Sequence, residues 1–281
     1  MITVTGATGN IGRTLVELLA GADEEVVAVS RQAQPAHHTA GVRWVRGTVG
    51  EAASLRPALE GSRALFLVLG GELNSRGESP DTLLSAAADA GVERIVLVSS
   101  QANATRPDSP SHARLREFEA AVRTSGPEFT VLRPGGFASN AFAWAETVRA
   151  ERTVFAPFGD VALPLVDPAD IAAVAAAALR EDGHAGRTYE LTGPAPVSPR
   201  EQTAALAEVL GEEVAFVELS REQAHAQLAR FMPEEIIPGA LDVLGLPFPS
   251  ELAVSPDVAA VLGRPAAPFG AWAARNLPAF R

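Results

Sequence analysis

Three glycines at the spacing Gly-x-x-Gly-x-x-Gly carry the first chemistry in the chain: Thr5-Gly6-Ala7-Thr8-Gly9-Asn10-Ile11-Gly12. The run lies between a β-rich segment (residues 2–5) and apolar residues at helical spacing, Ile11, Leu15, Leu18 and Leu19. In that setting each glycine has its own task. Gly6 permits the sharp turn out of the strand. Gly9 lets the backbone approach a pyrophosphate, and Gly12 lets the helix pack closely on the sheet. The helix start adds free N–H groups and a partial positive charge. A plain glycine turn would have no need of a strand before it and a helix after it.

The end of the next strand distinguishes NAD from NADP. An acid there binds the ribose 2′-OH, whereas an arginine accepts a 2′-phosphate. The chain has Val29-Ser30-Arg31 and no acid nearby, which favours NADP(H) over NAD(H). His37 and His38 follow, placed either beside the adenine ribose or simply on the surface.

These residues need a scaffold, and the hydrophobic pattern supplies one. Strands are expected at residues 25–29, 42–45, 64–69, 94–99 and 129–132, and helices at 53–59, 80–91 and 112–124. Residues 64–69 are continuously apolar, as in a strand buried on both faces. This alternation predicts an α/β fold, a Rossmann-type doubly wound parallel sheet. Beyond residue 156 the spacing predicts a helix over 166–179, a strand over 187–191 and a capping box at Ser198-Pro199-Arg200-Glu201 that opens a helix ending near Leu210. A strand over 214–218, a helix capped by Ser220 and helices over 233–244 and 256–262 complete the pass. The expected division is a dinucleotide-binding part over 1–156 and a smaller C-terminal α/β cap over 157–281, with about 166–193 returning to the main sheet.

Composition narrows the chemistry. The 281 residues include no cysteine, and all 23 basic residues are arginine against 34 acids, for a net charge of −11. Thiolate metal sites, disulfides, Schiff bases and P-loops are therefore excluded. A polybasic nucleic-acid or membrane surface is not expected. His184 and His225 stand apart, without metal-ligand spacing. No signal-like segment opens the sequence, so a cytoplasmic monomer or homodimer is expected.

The glycine run, the Ser30-Arg31 ending, Val98-Ser99-Ser100, the run Phe129-Thr130-Val131-Leu132-Arg133-Pro134 with Phe137 and Asn140, Val166-Asp167-Pro168-Ala169-Asp170-Ile171, and Gly186-Arg187-Thr188-Tyr189-Glu190-Leu191-Thr192-Gly193-Pro194 together resemble the NmrA-like family. That family belongs to the atypical short-chain dehydrogenases/reductases, and the likeness is closest to its quinone and azo reductase-like branch. The resemblance implies that Thr8, Asn10 and Ile11 join Gly6, Gly9 and Gly12 around the pyrophosphate. It implies that Leu69-Gly70-Gly71 and Ser99-Ser100-Gln101 line the ribose and nicotinamide, and that Pro134, Gly135 and Phe137 cover the nicotinamide end. Relatives carry Gly-Asp after the third strand, where this chain has Gly47-Thr48-Val49.

The wider superfamily pairs a tyrosine acid with a lysine four residues on. Here the single tyrosine is Tyr189 and lysine is absent. About a dozen residues after Ser99-Ser100 the chain reads His112-Ala113-Arg114-Leu115-Arg116, so His112 and Arg116 share one helix face. His112 is the candidate acid or base; otherwise it marks an ordinary helix start capped by Ser111. A second route needs no protein acid, because a quinone accepts hydride directly when held against the nicotinamide. Candidate acceptor-site residues are Gln101, Phe137, Asn140 and Phe155, with Phe142, Trp144, Phe231, Met232, Pro247-Phe248-Pro249 and Trp272 as possible walls. The expected function is an NAD(P)H-dependent reductase of quinones or conjugated aromatic carbonyls, a small-aromatic acceptor chemistry suited to tailoring steps of natural-product biosynthesis. The alternatives are an NmrA-type redox sensor without turnover and an isomerase- or dehydratase-like member.

Overall fold

The computed structural model describes residues 1–32, 40–70, 77–230 and 232–281. Seven strands form one parallel sheet: β1 (Ile2–Val4), β2 (Val26–Ser30), β3 (Val42–Arg46), β4 (Ala64–Val68), β5 (Arg94–Val98), β6 (Glu128–Pro134) and β8 (Arg187–Leu191). Their order is β3-β2-β1-β4-β5-β6-β8. The chain winds outward in both directions from β1, so the order reverses between β1 and β4. In such sheets the crevice beyond the strand ends at the reversal is where ligands bind.

Both faces of the sheet are apolar, and helices cover each. Ile2, Val4, Phe66, Val96 and Val98 pack on one face against α1 (Gly12–Ala20) and α7 (Pro168–Arg180). Val27, Val29, Leu65, Leu67 and Leu97 point the other way. They meet α2 (Ala52–Leu59), α3 (Pro80–Asp89) and α5 (Ala113–Val122). This is the doubly wound arrangement that the hydrophobic runs predict. A one-turn helix, α4 (Ala102–Thr105), follows β5 directly.

A smaller lobe is built on a second sheet, in which β7 (Thr153–Pro157) pairs in parallel with β9 (Ala215–Leu219). The sequence reading placed no strand at β7, and a boundary at residue 156 would cut it. Its signal is a short alternation: Val154 and Ala156 are buried, while Thr153, Phe155 and Pro157 are half-buried. The lobe core joins α6 (Ala145–Glu151), α8 (Pro199–Leu210) and α13 (Phe269–Arg275) through Val148, Val154, Leu206, Trp272 and Phe280. Three further helices complete it: α9 (Arg221–Leu228), α10 (Ile237–Gly245) and α11 (Pro249–Leu252); α12 (Asp257–Leu262) packs instead on α7 and β8 of the main sheet through Val258. Both α8 and α9 begin with a capping box, at Ser198 and Ser220.

Carboxylates fasten the C-terminal segment to the sheet. The Asp257 carboxylate accepts from the Glu190 N–H at 2.8 Å, which satisfies part of the outer edge of β8. Asp167 caps α7 at the Ala169 N–H (2.9 Å) and also pairs with Arg275. Asp170, 1% exposed, pairs with Arg264 at 2.8 Å and accepts from the Ala267 N–H at 2.6 Å. The arginines these two acids hold lie about a hundred residues away in sequence and carry no local signal.

Replacing Asp170 by Ala should leave the Ala267 N–H and the Arg264 charge without a partner. The expected loss is about 3 kcal/mol, a fall in Tm of roughly 6–12 °C for a chain of this size, read by thermal denaturation. A change under 2 °C would show that the C-terminal segment is held by its apolar contacts alone.

Candidate cofactor and acceptor site

The glycine turn is shaped by close approach. Gly6 has φ +60°, a conformation that favours glycine, and its N-terminal neighbour is fixed by Thr5 Oγ1, which donates to the Phe66 carbonyl (2.9 Å) and accepts from the Val68 N–H (3.1 Å). A Cβ on Gly12 would stand 2.2 Å from the Gly6 carbonyl oxygen. Only glycine lets α1 start so close to β1. The Gly9 N–H donates to the Gly6 carbonyl at 2.9 Å and closes the turn. No acidic residue and no side-chain cap occupies the first turn of α1. Among the described residues, the N–H groups of Asn10, Ile11 and Gly12 have no acceptor within hydrogen-bond distance. Thr8, Gly9 and Asn10 are exposed, while Ile11 and Gly12 are buried beneath them. Unsatisfied donors, absent acids and open backbone are what a pyrophosphate requires. A bound dihydronicotinamide dinucleotide would supply hydride at this edge.

The other expected cofactor residues lie on the same carboxyl edge. Ser30 ends β2, nearly buried, and its hydroxyl accepts from the Gln32 N–H (3.2 Å). Arg31 follows it, exposed, and Arg46 stands opposite Ser30 in register on β3, also exposed. Leu69 is buried at the end of β4, and Gly70 is open, with nothing within 4 Å of where its Cβ would be. The Gln101 N–H donates to the Pro134 carbonyl (3.0 Å), continuing the pairing of β5 with β6 into the turn beyond. The Gln101 side chain bridges toward the smaller lobe, donating to the Ser250 carbonyl at 3.3 Å. Asn10 donates to the Ser139 hydroxyl (3.2 Å) and so links the glycine turn to the 3₁₀ segment Ala138–Trp144. His37, His38, Gly71 and Phe231 lie outside the described residues.

Several expected positions turn out differently. The Ser99 hydroxyl, expected at the cofactor, is buried and donates to Glu119 Oε1 at 2.5 Å. Asn103 donates to both Ser99 Oγ (2.8 Å) and Glu119 Oε1 (2.9 Å). Arg133 closes the network with two bonds to the same carboxylate, 3.0 Å and 2.7 Å. Burial pushes the Glu119 carboxyl up, but the bonds from Arg133, Ser99 and Asn103 outweigh that and hold it below the ordinary range. Glu119 therefore ties α5 to the ends of β5 and β6 and sets the Ser99-Ser100-Gln101 turn. Sequence reading missed it because an acid inside an amphipathic helix looks like a solvated position.

The aromatic residues divide. Phe137 packs against the main core and bridges to Val166. Asn140 is exposed in the 3₁₀ segment. Phe155 is on the face of β7 opposite Val154 and Ala156. Phe142 meets Trp272 edge-on at 5.0 Å and stacks on Phe280 at 6.1 Å, and Trp144 lies beside the same cluster. Phe142, Trp144 and Trp272 thus take part in the packing of the smaller lobe.

Tyr189 bonds His184 Nδ1 at 2.9 Å. His184 precedes β8 and its carbonyl accepts from Thr130 early in β6, so the phenol points toward the opposite edge of the sheet. His112 ends the 3₁₀ turn Pro110–His112, its Nδ1 bonded to Ser111 Oγ at 2.8 Å. Burial, and then the Arg116 charge, lower its pKa below the ordinary histidine value. No group of acids and histidines suited to a metal ion occurs among the described residues. No helix among them is long and apolar enough to cross a membrane.

Comparison with known proteins agrees with this edge. A family model described as NAD(P)H-binding matches residues 6–182. A (4-alkanoyl-5-oxo-2,5-dihydrofuran-3-yl)methyl phosphate reductase of Streptomyces griseus is 39% identical, over 100% of this chain and 99% of the relative. An NAD(P)H azoreductase of Xenophilus azovorans is 34% identical over 100% and 99%. The Escherichia coli quinone oxidoreductase QOR2, solved with NADPH, aligns with a TM-score of 0.80 at 26% identity, covering 99% of this chain and 100% of that one. The chain belongs to the NAD(P)H-binding, NmrA-like atypical short-chain dehydrogenases/reductases. It is an NAD(P)H-dependent oxidoreductase that lacks the tyrosine–lysine pair.

The Glu119 network gives a pH-dependent prediction. Because the folded carboxyl titrates below its unfolded value, its contribution is complete above about pH 4.3 and is lost as pH falls through the lower, folded value. Glu119→Gln should cost about 3 kcal/mol at pH 7, where Arg133 loses its nearer charged partner and keeps only Glu190 at 3.5 Å. The gap should narrow in acid, where the wild type loses the same charge. Denaturant melts at pH 7 and pH 3.5 check this; a gap that is equal at both would assign the loss to packing.

Proposed function

We propose that the protein uses NADPH to reduce an electron-poor conjugated acceptor, a quinone or a conjugated carbonyl compound. The observation that carries the reading is the position of the single tyrosine. Its phenol is bonded to His184 at the far edge of the sheet, and burial raises its pKa. With no lysine in the chain, no strong proton donor of the usual kind faces the cofactor edge. Reduction then favours an acceptor whose π system spreads the incoming charge, so that hydride transfer need not wait for a proton. The relatives' names fit this pattern: a quinone, an azo compound, and a dihydrofuran whose ring double bond carries both a lactone carbonyl and an alkanoyl group on one of its carbons. Such acceptors also suit a tailoring step in natural-product biosynthesis.

The chain's own residues bind and orient. The glycine turn and the start of α1 hold the pyrophosphate. Ser30 and Arg31, with Arg46 opposite, present donors to a ribose 2′-phosphate. Pro134, Gly135 and Gln101 form the edge beneath the reacting ring, with Phe137 behind them. For an acceptor that carries no anionic group, His112 is the proton source where one is needed: kept neutral by its surroundings, it can donate from Nε2 while Nδ1 accepts from Ser111.

Two experiments test the reading. Purified protein with NADPH and menadione, or a conjugated butenolide, should consume the cofactor, followed at the nicotinamide absorbance band. Cofactor binding without consumption across a panel of quinones and enones would favour a sensor instead. Replacing His112 by Ala should lower kcat about tenfold to a hundredfold on the enone, and less than tenfold on the quinone, since general acid catalysis contributes about a hundredfold or more where it operates. Equal losses on both would place His112 in binding and not in proton transfer.

Arg31→Ala should raise the KM for NADPH about tenfold and leave that for NADH within twofold, because one charge-assisted contact to phosphate is lost. Equal effects on the two cofactors would refute the preference.

A further inference from the structure

We propose that Arg116 and the hydrogen-bonded run Ser109–Ser111–His112 form a binding site for a phosphate monoester carried by the acceptor. The inference rests on the acceptor reading above and names the substituent that the same site would select.

Arg116 is singular among the described residues. Its guanidinium is half-buried, yet no carboxylate lies within ion-pair distance of it. Every other half-buried arginine there is paired: Arg63, Arg94, Arg106, Arg114, Arg133 and Arg152. One end of the Arg116 fork is committed, with Nη2 donating to the Ser109 carbonyl at 2.7 Å. The other end, Nη1, is buried without any acceptor. In a protein with 34 acids against 23 arginines, a half-buried cation left unpaired is costly unless something anionic meets it.

The neighbouring groups are donors as well. Ser109 Oγ and Ser111 Oγ are 2.8 Å apart, and Ser111 Oγ is 2.8 Å from His112 Nδ1. Among the described residues His112 Nε2 has no partner. With the Ser111 proton on His112 Nδ1 and the Ser109 proton on Ser111 Oγ, the donors left for a phosphate are Arg116 Nη1 and the His112 Nε2–H, held in place by the serine chain, and no acid competes for them.

Position completes the argument. Helix α5 joins two parallel strands and so runs against them. Glu119 on α5 touches Ser99 at the end of β5, so Arg116 lies one turn further out, about 4.5 Å, and His112 about 10 Å, beyond the carboxyl edge. On the other side Ser109 Oγ approaches Gly239 of α10, 4.0 Å from where its Cβ would be. The cluster therefore stands at the cofactor edge where the smaller lobe meets it. The Streptomyces griseus relative is named for a substrate that carries a phosphate ester on a methylene group attached to its ring.

The test has one arm without turnover and one with it. With NADPH saturating, so that the glycine turn is filled, inorganic phosphate at 50 mM (roughly a millimolar-affinity test) should raise Tm by about 2–4 °C over chloride of equal ionic strength. Arg116→Gln should abolish that rise, and Arg116→Lys, which keeps the charge and loses the fork, should keep part of it. In the second arm, kcat/KM is compared for an alkanoyl-butenolide methyl phosphate and its phosphate-free alcohol. The wild type should favour the ester about tenfold or more, and Arg116→Gln should bring the ratio within twofold of one. No phosphate-dependent rise in the wild type, or a ratio untouched by Arg116→Gln, overturns the site. A rise that depends on Arg116 with neither compound reduced sustains the anion site and overturns the acceptor reading instead.

Discussion

The distance between Gly12 and the Gly6 carbonyl constrains everything else at the cofactor edge. A methyl group at residue 12 would sit 2.2 Å from that oxygen, so the helix can begin this close only on a glycine. Close approach brings the open N–H groups of Asn10, Ile11 and Gly12 to the crevice where the strand order reverses. The same approach lets Ile11, Leu15 and Leu19 join the core where α1 packs on β1 and β2. One contact thus couples the core of the sheet to the phosphate-binding turn, and neither could move without the other.

From that edge outward, the main fold is legible in the sequence because it depends on local rules. Residues 64–69 and 94–99 are apolar on both faces, and a strand with that pattern must lie inside a parallel sheet covered by helices. Pro168 at the first turn of α7 and the capping box at Ser198 mark their helices without reference to anything distant. The smaller lobe is less legible for the converse reason. β7 alternates for only five residues and pairs with β9, some sixty residues later. α13 is short, and the aromatic packing of Trp272 with Phe142 and Phe280 is made between segments that are far apart.

The site divides along the same line. The glycine turn and Arg31 are read from type and spacing, and the turn after β5 from the family resemblance. Glu119 is not, because the signal that singles it out is three-dimensional: Ser99, Asn103 and Arg133 converge on one carboxylate from three elements. Ser99 illustrates the cost of reasoning from position alone. It stands where a cofactor contact is expected, and its hydroxyl is nevertheless turned into the network beneath.

An arginine-only, strongly acidic chain gives these pairings a particular character. Arginine's planar fork suits bidentate contact with carboxylates, and it stays charged at any physiological pH. The protein uses it to fasten lobe to sheet: Arg106 grips Glu251 through two bonds, 2.7 Å and 2.8 Å, and Arg264 and Arg275 hold the acids at the start of α7. Thr105 joins Arg106 on Glu251, and the neighbouring Ser250 receives Gln101. The short helix α4 after β5 is therefore the place where the turn beside the cofactor and the smaller lobe are bound to each other. The Gln101 N–H donates to the Pro134 carbonyl, so the same fastening continues into the edge formed by β5 and β6. The arginine–carboxylate clasp thus joins the smaller lobe to the carboxyl edge of the sheet through one short helix.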